Sequence, residues 1–323
     1  MSEYSVNLIG ASGLVGKTFL KILSEEHFPV KNINMFASAE SAGKTIRFNG
    51  KKYYLQTLSN RLPGADFTLF ATDNGISKEY IPYALKTSRY VIDNSSEFRL
   101  NKDTPLIIPE INFSDIQNSR LISNPNCTTA ICALPLWLLH NQFRLKRVRF
   151  CSYQSVSGSG KKGLQALKGV KNNAYKYDIR KTCIPQIGDF SDDGYTTEEL
   201  KMRDEIRKIF VLPKLPVSAT CVRVPTEFCH GITVSAVFEK DFSIEEVKNI
   251  ISQSDEIELS DDIAQNTYPT SEIATGKNKV YVGRIRKDYA ENNAVLFYAL
   301  SDNLRRGAAY NAYKIIKSFI AKR

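Results

Sequence analysis

The sequence predicts an α/β fold, doubly wound in its N-terminal part, and three observations carry that prediction. An apolar strand at residues 4–9 runs directly into the glycine turn Gly10-Ala11-Ser12-Gly13-Leu14-Val15-Gly16, and helical periodicity follows from Lys17. Apolar runs at residues 33–37, 67–71 and 90–93 each end in small or polar residues, as parallel strands do where they face a ligand crevice. Later runs at 148–154, 217–223, 232–238, 280–285 and 294–299 read as strands able to form one large sheet, and residues 310–320 have the apolar spacing of a closing helix.

Each N-terminal element has its own reason. Gly10 permits a tight turn, Gly13 lets a phosphate approach the N–H groups that open the helix, and Gly16 lets that helix pack closely on the sheet. The spacing is G-x-x-G-x-x-G rather than G-x-G-x-x-G, so the strand-turn-helix context is what supports a nucleotide site. Phe19, Leu20 and Leu23 give the helix one apolar side. The polar loop 38–44 lies where a doubly wound fold meets an adenosine ribose. There, Glu40 would accept from a ribose hydroxyl and favour NAD, whereas Ser38, Ser41 and Lys44 would hold the 2′-phosphate of NADP; a solvated turn is the alternative for all four. A helical stretch at 77–86 separates the next two strands, and residues 106–110 and 121–123 add edge strands.

With 323 residues, 42% of them hydrophobic and 24% charged, the chain is long enough for two domains and is neither disordered nor a coiled-coil rod. Its net charge of +10 invites a nucleic-acid or membrane reading. Counted by segment, residues 1–126 carry 14 basic and 12 acidic side chains, residues 127–188 carry 11 and one, and residues 189–323 carry 19 and 21. The excess therefore lies between Arg144 and Lys181, either as a solvated face or as a local field around an anionic substrate. The six cysteines have neither zinc-ribbon pairing nor the density of a secreted scaffold, so a reducing, cytoplasmic location is expected. Neither a leader nor an apolar run of about 18 residues is seen, so no signal peptide or membrane span is expected.

Asn124-Pro125-Asn126 marks a break, after which small and apolar residues read as a buried helix starting near Cys127. A thiol in such a first turn faces unpaired N–H groups and the positive end of the helix dipole, which lower its pKa and make it a nucleophile. The alternative is a buried small hydrophobe, which is the reading for Cys132. Of the three histidines, His27 and His140 read as exposed or structural, whereas His230, between a strand and an alternating run, suits the acid/base partner of a cysteine. Cys221, Cys229 and His230 lack zinc-site spacing, so no metal is expected. The Gly/Ser-rich loop at 153–163 lacks the P-loop offsets; it offers backbone donors to an oxyanion or is a flexible turn.

In this order the motifs resemble the aspartate-β-semialdehyde dehydrogenase family. The resemblance covers Gly10 to Gly16, Val91 to Arg99, Asn124 to Thr129, the Gln154 loop, Gly194 to Met202, Arg223-Val224-Pro225 with His230, Val282 to Arg286, and Asp302 to Ala309. It implies a Rossmann-like NAD(P)-binding domain at residues 1–127, completed by a C-terminal helix at 303–323. The intervening residues 128–302 would form an α+β catalytic and dimerisation domain on a large mixed sheet. The resemblance makes Cys127 the acylated nucleophile, His230 the acid/base and Gln154 the residue that orients the intermediate. Arg223 would pair with the substrate α-carboxylate, Glu198 with its α-ammonium, and Arg99, Asn126 and Lys201 would handle phosphate. Cofactor contacts would come from Gly10, Ser12, Gly13, Leu14, Val15, Gly16, Ser38, Glu40, Ser41, Thr72, Gly158 and Asn303.

The implied reaction is the reversible NAD(P)H-dependent reductive dephosphorylation of L-aspartyl-4-phosphate to L-aspartate 4-semialdehyde through a cysteine thioester, in the biosynthesis of lysine, threonine, methionine and isoleucine. The expected cofactor is NADP, with NAD as the alternative. Expected partners are the small-molecule substrate, inorganic phosphate and further copies of the chain, as a homodimer or homotetramer, with neither nucleic acid nor membrane. Glu40 departs from the family, which commonly presents arginine there. Thr226-Glu227-Phe228-Cys229 also departs from the usual apolar stretch, although the seven-residue offset from Arg223 to His230 is kept. Two rival readings are a sister N-acetylglutamyl-phosphate or malonyl-CoA reductase, against which Glu198 with Arg223 argue, and a non-catalytic basic binding protein.

Overall fold

A computed structural model describes residues 3–321 as two compact units, one running to Pro125 and taking in the chain from Ala308, the other spanning Asn126–Gly307. The first unit begins with β1 (Tyr4–Ile9), α1 (Leu14–Glu25) and β2 (Val30–Ala37). The hairpin β3 (Thr45–Phe48) and β4 (Lys51–Tyr54) turns at Asn49-Gly50, both with positive φ. Then come β5 (Gln56–Thr57), β6 (Ala65–Phe70), α2 (Asn74–Thr87), β7 (Ser88–Asp93), α3 (Pro109–Asn112) and β8 (Leu121–Ser123). The six-stranded sheet has the order β5-β2-β1-β6-β7-β8 and is parallel throughout, a Rossmann-like arrangement.

The strands are apolar on both faces because both are covered. Val6, Leu8 and Leu69 share a core with Phe19 and Ile22 of α1, while Ile9, Phe70 and Val91 pack with Ile81 and Ala84 of α2. The closing helix, Tyr310–Ala321, adds fully buried Ile315 and Ile316 to the α1 side, each contributing about 1.5–3 kcal/mol by burial. One expected strand is absent. Leu106 makes only an isolated bridge to Ser123, and Pro109, which has no N–H to give a ladder, instead opens α3.

The second unit opens with α4 (Cys127–Phe143), β9 (Leu145–Gln154), α5 (Gly160–Leu167) and α6 (Thr197–Ile209). It continues with β10 (Val217–Arg223), β11 (His230–Phe238), α7 (Ile244–Ser252), β12 (Ile257–Leu259), α8 (Ser271–Ala274), β13 (Val280–Lys287) and β14 (Ala294–Ser301). The final helix of the chain is α9. The sheet of this unit, β10-β9-β11-β14-β13-β12, is mixed: β10 with β9 and β12 with β13 are parallel, the rest antiparallel. Helix α4 is apolar nearly all round and packs against α6, α7, β11 and β14. On the opposite face Arg149, Tyr153 and Thr220 are exposed, and Arg149 and Thr220 line a cavity of about 600 Å3.

Candidate active site

Sheet register assembles the chemistry of the second unit. Arg223 of β10 and His230 of β11 both pair with Gln154 of β9, so three buried polar side chains stand in one row at the ends of three adjacent strands. The chain that leaves β9 ties the row together. Arg223 Nη1 donates to the Ser155 carbonyl at 2.8 Å, and the Ser155 N–H donates to His230 Nδ1 at 3.0 Å. Gly158 closes over them: a Cβ there would lie 2.6 Å from Arg223 Nη1 and 3.1 Å from His230 Nε2. Burial, reinforced by the Arg223 charge, lowers the His230 pKa to about 3, so the imidazole is neutral.

The start of α4 is held from α6. Asn126 caps α4, its Oδ1 accepting from Thr128 N at 2.9 Å and Thr128 Oγ1 at 2.6 Å. Its Nδ2 lies 3.1 Å from both carboxylate oxygens of Glu198, and its backbone N–H donates to Glu205 Oε2 at 2.7 Å. Glu198 also accepts from Gln154 Nε2 at 3.1 Å and has Lys201 Nζ at 3.7 Å. Cys127, half-buried, follows this cap as the first residue of α4, with its Sγ 3.7 Å from Asn126 Oδ1. Burial pushes the thiols of Cys132 and Cys221 up, and that of Cys229 up to about 12, so those three are protonated core groups.

Asn126, Gln154, Glu198 and Lys201 thus share one network, and Gly158, Arg223 and His230 share the adjoining one. Gly158 and Asn303, expected at the cofactor, belong to the second unit. Asn303 Oδ1 accepts from Ser155 Oγ, Ser157 Oγ and Cys229 N, each at 3.1 Å. Arg99 belongs to the first unit, where its Nη2 donates to the Asn94 carbonyl at 2.8 Å. Within the basic segment, Arg147 and Arg149 pair with Glu291 and Arg180 with Asp178, so part of its charge is locally neutralised. Among the described residues, no group of three or more His, Cys, Asp or Glu side chains is placed to hold a metal ion.

In the first unit a cavity of about 470 Å3 opens where strand order reverses, at the carboxyl ends of β1 and β6. Gly10, Ser12, Gly13, Ser38 and Thr72 line it. Gly10 has φ +85°, and a Cβ there would lie 2.4 Å from the Ala71 carbonyl oxygen. Gly13 caps α1 with no side chain, which leaves the first N–H groups of α1, on Leu14, Val15 and Gly16, facing whatever occupies the turn. Glu40 and Ser41 sit in the short turn Ala39–Ser41, Glu40 exposed.

Ser155, Glu205 and Gly307 were missed by sequence reasoning. Glu205 had a signal: with Glu198 and Met202 it falls at i, i+4 and i+7 on the buried face of α6, an unusual place for a carboxylate. Ser155 acts through its backbone and Gly307 through having no side chain, so neither residue type announces its role.

Residues 5–119 match the family described as "Semialdehyde dehydrogenase, NAD binding domain", and residues 136–306 match "Semialdehyde dehydrogenase, dimerisation domain". The aspartate-semialdehyde dehydrogenase of Aquifex aeolicus is 37% identical over 98% of each chain. Aspartate semialdehyde dehydrogenase II of Vibrio cholerae superposes with a TM-score of 0.93 at 36% identity, covering 99% of both chains. The same Vibrio cholerae enzyme complexed with ASA superposes with a TM-score of 0.94 at 35% identity and the same coverage. Full-length similarity of this order, on a fold whose second unit gathers the cysteine, histidine, glutamine, arginine and glutamate of the expected motifs, places the chain in the aspartate-semialdehyde dehydrogenase family.

Proposed function

We propose that this protein catalyses the reversible NAD(P)H-dependent reductive dephosphorylation of L-aspartyl-4-phosphate to L-aspartate 4-semialdehyde. One observation carries the choice of substrate: a buried guanidinium, Arg223, and a buried carboxylate, Glu198, both reach Gln154 or its neighbour Ser155. Opposite charges on the two sides of one residue suit a free amino acid, whose α-carboxylate accepts a forked pair from Arg223 while its α-ammonium replaces donors now on Glu198. A malonyl thioester would bring no α-ammonium to Glu198.

The Cys127 thiolate attacks the acyl carbon; the C–S bond forms and the bond to the phosphate oxygen breaks, leaving a thioester. When bound, NAD(P)H supplies the hydride that takes the acyl group to the aldehyde level. Breaking the C–S bond then frees the product and returns the thiolate. Gln154 orients the acyl group, and Lys201, Asn126 and Arg99 are the residues assigned to phosphate. The bare turn at Gly10 and the uncapped start of α1 suit a pyrophosphate, with Ser12, Ser38 and Thr72 beside it.

The test is phosphate-dependent reduction of NADP or NAD with L-aspartate 4-semialdehyde. Absence of that signal together with turnover of malonyl-CoA would replace this reading with the sister reductase. Cofactor choice rests on Glu40, whose exposed carboxylate repels a 2′-phosphate. We expect kcat/KM for NADP to exceed that for NAD by less than about 100-fold, roughly 2.7 kcal/mol, and a larger ratio would remove Glu40 from that role. The open face of the second unit's sheet, with Tyr153 and Thr220 exposed, is assigned to a second copy of the chain.

A further inference from the structure

A helix cap leaves its own backbone N–H without a partner inside the helix. In two helices of the second unit the third helical residue supplies one: Glu199 Oε2 of α6 accepts from the Thr196 N–H, and Glu246 Oε2 of α7 from the Ser243 N–H, each at 2.7 Å. Helix α4 has no such residue. Its third position is Thr129, a side chain too short for that bond, and its buried Oγ1 has no hydrogen-bond partner among the described residues. The Asn126 N–H instead donates to Glu205 Oε2, also at 2.7 Å, and that carboxylate comes from the middle of α6. Other bonds of the cap stay within α4. Asn126 Oδ1 accepts from Thr128, and the Asn126 carbonyl accepts from the Ala130 N–H at 2.8 Å.

We propose that Glu205 is a positioning residue: by supplying the missing bond of the α4 cap from α6, it fixes Cys127 relative to the carboxylate that receives the substrate's ammonium. The inference rests on the reaction proposed above. Cys127 directly follows Asn126, so the place of its sulfur depends on where the Asn126 N–H is held. Glu198, Lys201 and Glu205 fall at i, i+3 and i+7 of α6, on one side of that helix. The group that meets the substrate's ammonium and the group that holds the nucleophile's cap are therefore set on one rigid element, about two turns apart. A glutamate at residue 129 would pair the N–H equally well but would tie the cap to α4 alone. Burial makes the attachment firm. Glu205 is 1% exposed, so water has little access to replace its bond. Met202, Ile206 and Ile209 bury the same helix in the core, and α6 cannot shift without disturbing them.

The test compares Glu205→Gln with Glu205→Met. Both remove the charge and keep the length of the side chain, but only glutamine offers an oxygen to the Asn126 N–H. With L-aspartate 4-semialdehyde, Glu205→Met should lose about 50-fold in kcat while KM changes by less than about threefold, and Glu205→Gln should recover at least about tenfold of that loss. The second readout is the rate at which iodoacetamide alkylates Cys127, followed by mass spectrometry of its peptide because Cys183 is exposed as well. Alkylation should slow about fivefold or more in Glu205→Met and recover in Glu205→Gln, since a displaced helix start stabilises the thiolate less. Equal rates in the two variants, in either readout, would overturn the proposal, as would a change in KM without a loss of kcat. If Glu205→Met does not fold, Glu205→Asp, which draws the oxygen back by one methylene, takes its place: kcat at least about tenfold below that of Glu205→Gln is expected, and parity overturns the proposal. Alkylation needs no turnover, so failure of the semialdehyde assay would reject the reaction and leave the positioning result standing.

Discussion

Cys127→Ser lowers turnover in both directions by about 10⁴-fold or more and leaves the melting temperature within about 2 °C of the parent. The substitution keeps size and hydrogen bonding at the first residue of α4, so the fold has no reason to change. The chemistry does. Helix N-terminal N–H groups favour a thiolate whose ordinary pKa is near 8.5, but they cannot ionise an alcohol near neutral pH. An oxygen ester is also a poorer hydride acceptor than a thioester. No other thiol in the buried set can substitute, because burial holds Cys132, Cys221 and Cys229 protonated. Steady-state rates with L-aspartate 4-semialdehyde and a thermal melt decide the matter. Retention of more than about 1% of turnover would remove Cys127 from the nucleophile's role.

Gly307→Ala comes next, with kcat falling about 100-fold and KM for the amino-acid substrate changing by less than about threefold. Gly307 lies in the π-helical turn Arg305–Ala309, and a Cβ there would stand 2.8 Å from Cys127 Cβ and 3.2 Å from its Cα. These are not the far end of a mobile side chain but the root of the nucleophile on a packed helix, so relief has to come from moving Cys127 itself. At Gly158 the closest atom is instead the tip of the Arg223 side chain. Kinetic constants together with the rate of thiol alkylation test the point. An alanine variant with full kcat would show that the helix start yields without harm to the geometry. The contrast between kcat and KM matters because Arg223 and Glu198, which bind the substrate's charges, are not touched by Gly307.

Much of this was legible in the residues. Strand, glycine turn and helix at residues 4–23 can be read because local periodicity and glycine chemistry act over a few residues, and α1 forms where they point. The exception at residues 106–110 is also local: Pro109 removes a ladder donor, which outweighs the apolar character of Leu106, Ile107 and Ile108. Cys127 at a helix start follows from Pro125 and the Asn126 cap. Family motifs named His230, Gln154, Arg223 and Glu198 as a set.

What the residues did not contain is how that set is held. Gln154 lies far in sequence from Arg223 and His230, and the three meet because β10 and β11 flank β9 in one register; a slip of one residue would turn a side chain to the other face. The bond from the Ser155 N–H to His230, the grip of Glu205 on the Asn126 N–H and the space that Gly307 leaves for Cys127 likewise come from chain segments brought together by folding. Sequence by itself determined which functional groups the protein owns and the local elements that carry them, since those depend on short-range forces and side-chain identity. Only the tertiary structure decided which groups meet His230 and which residues brace the nucleophile, because hydrogen bonds and steric contacts act over about 3–4 Å between groups brought together by folding.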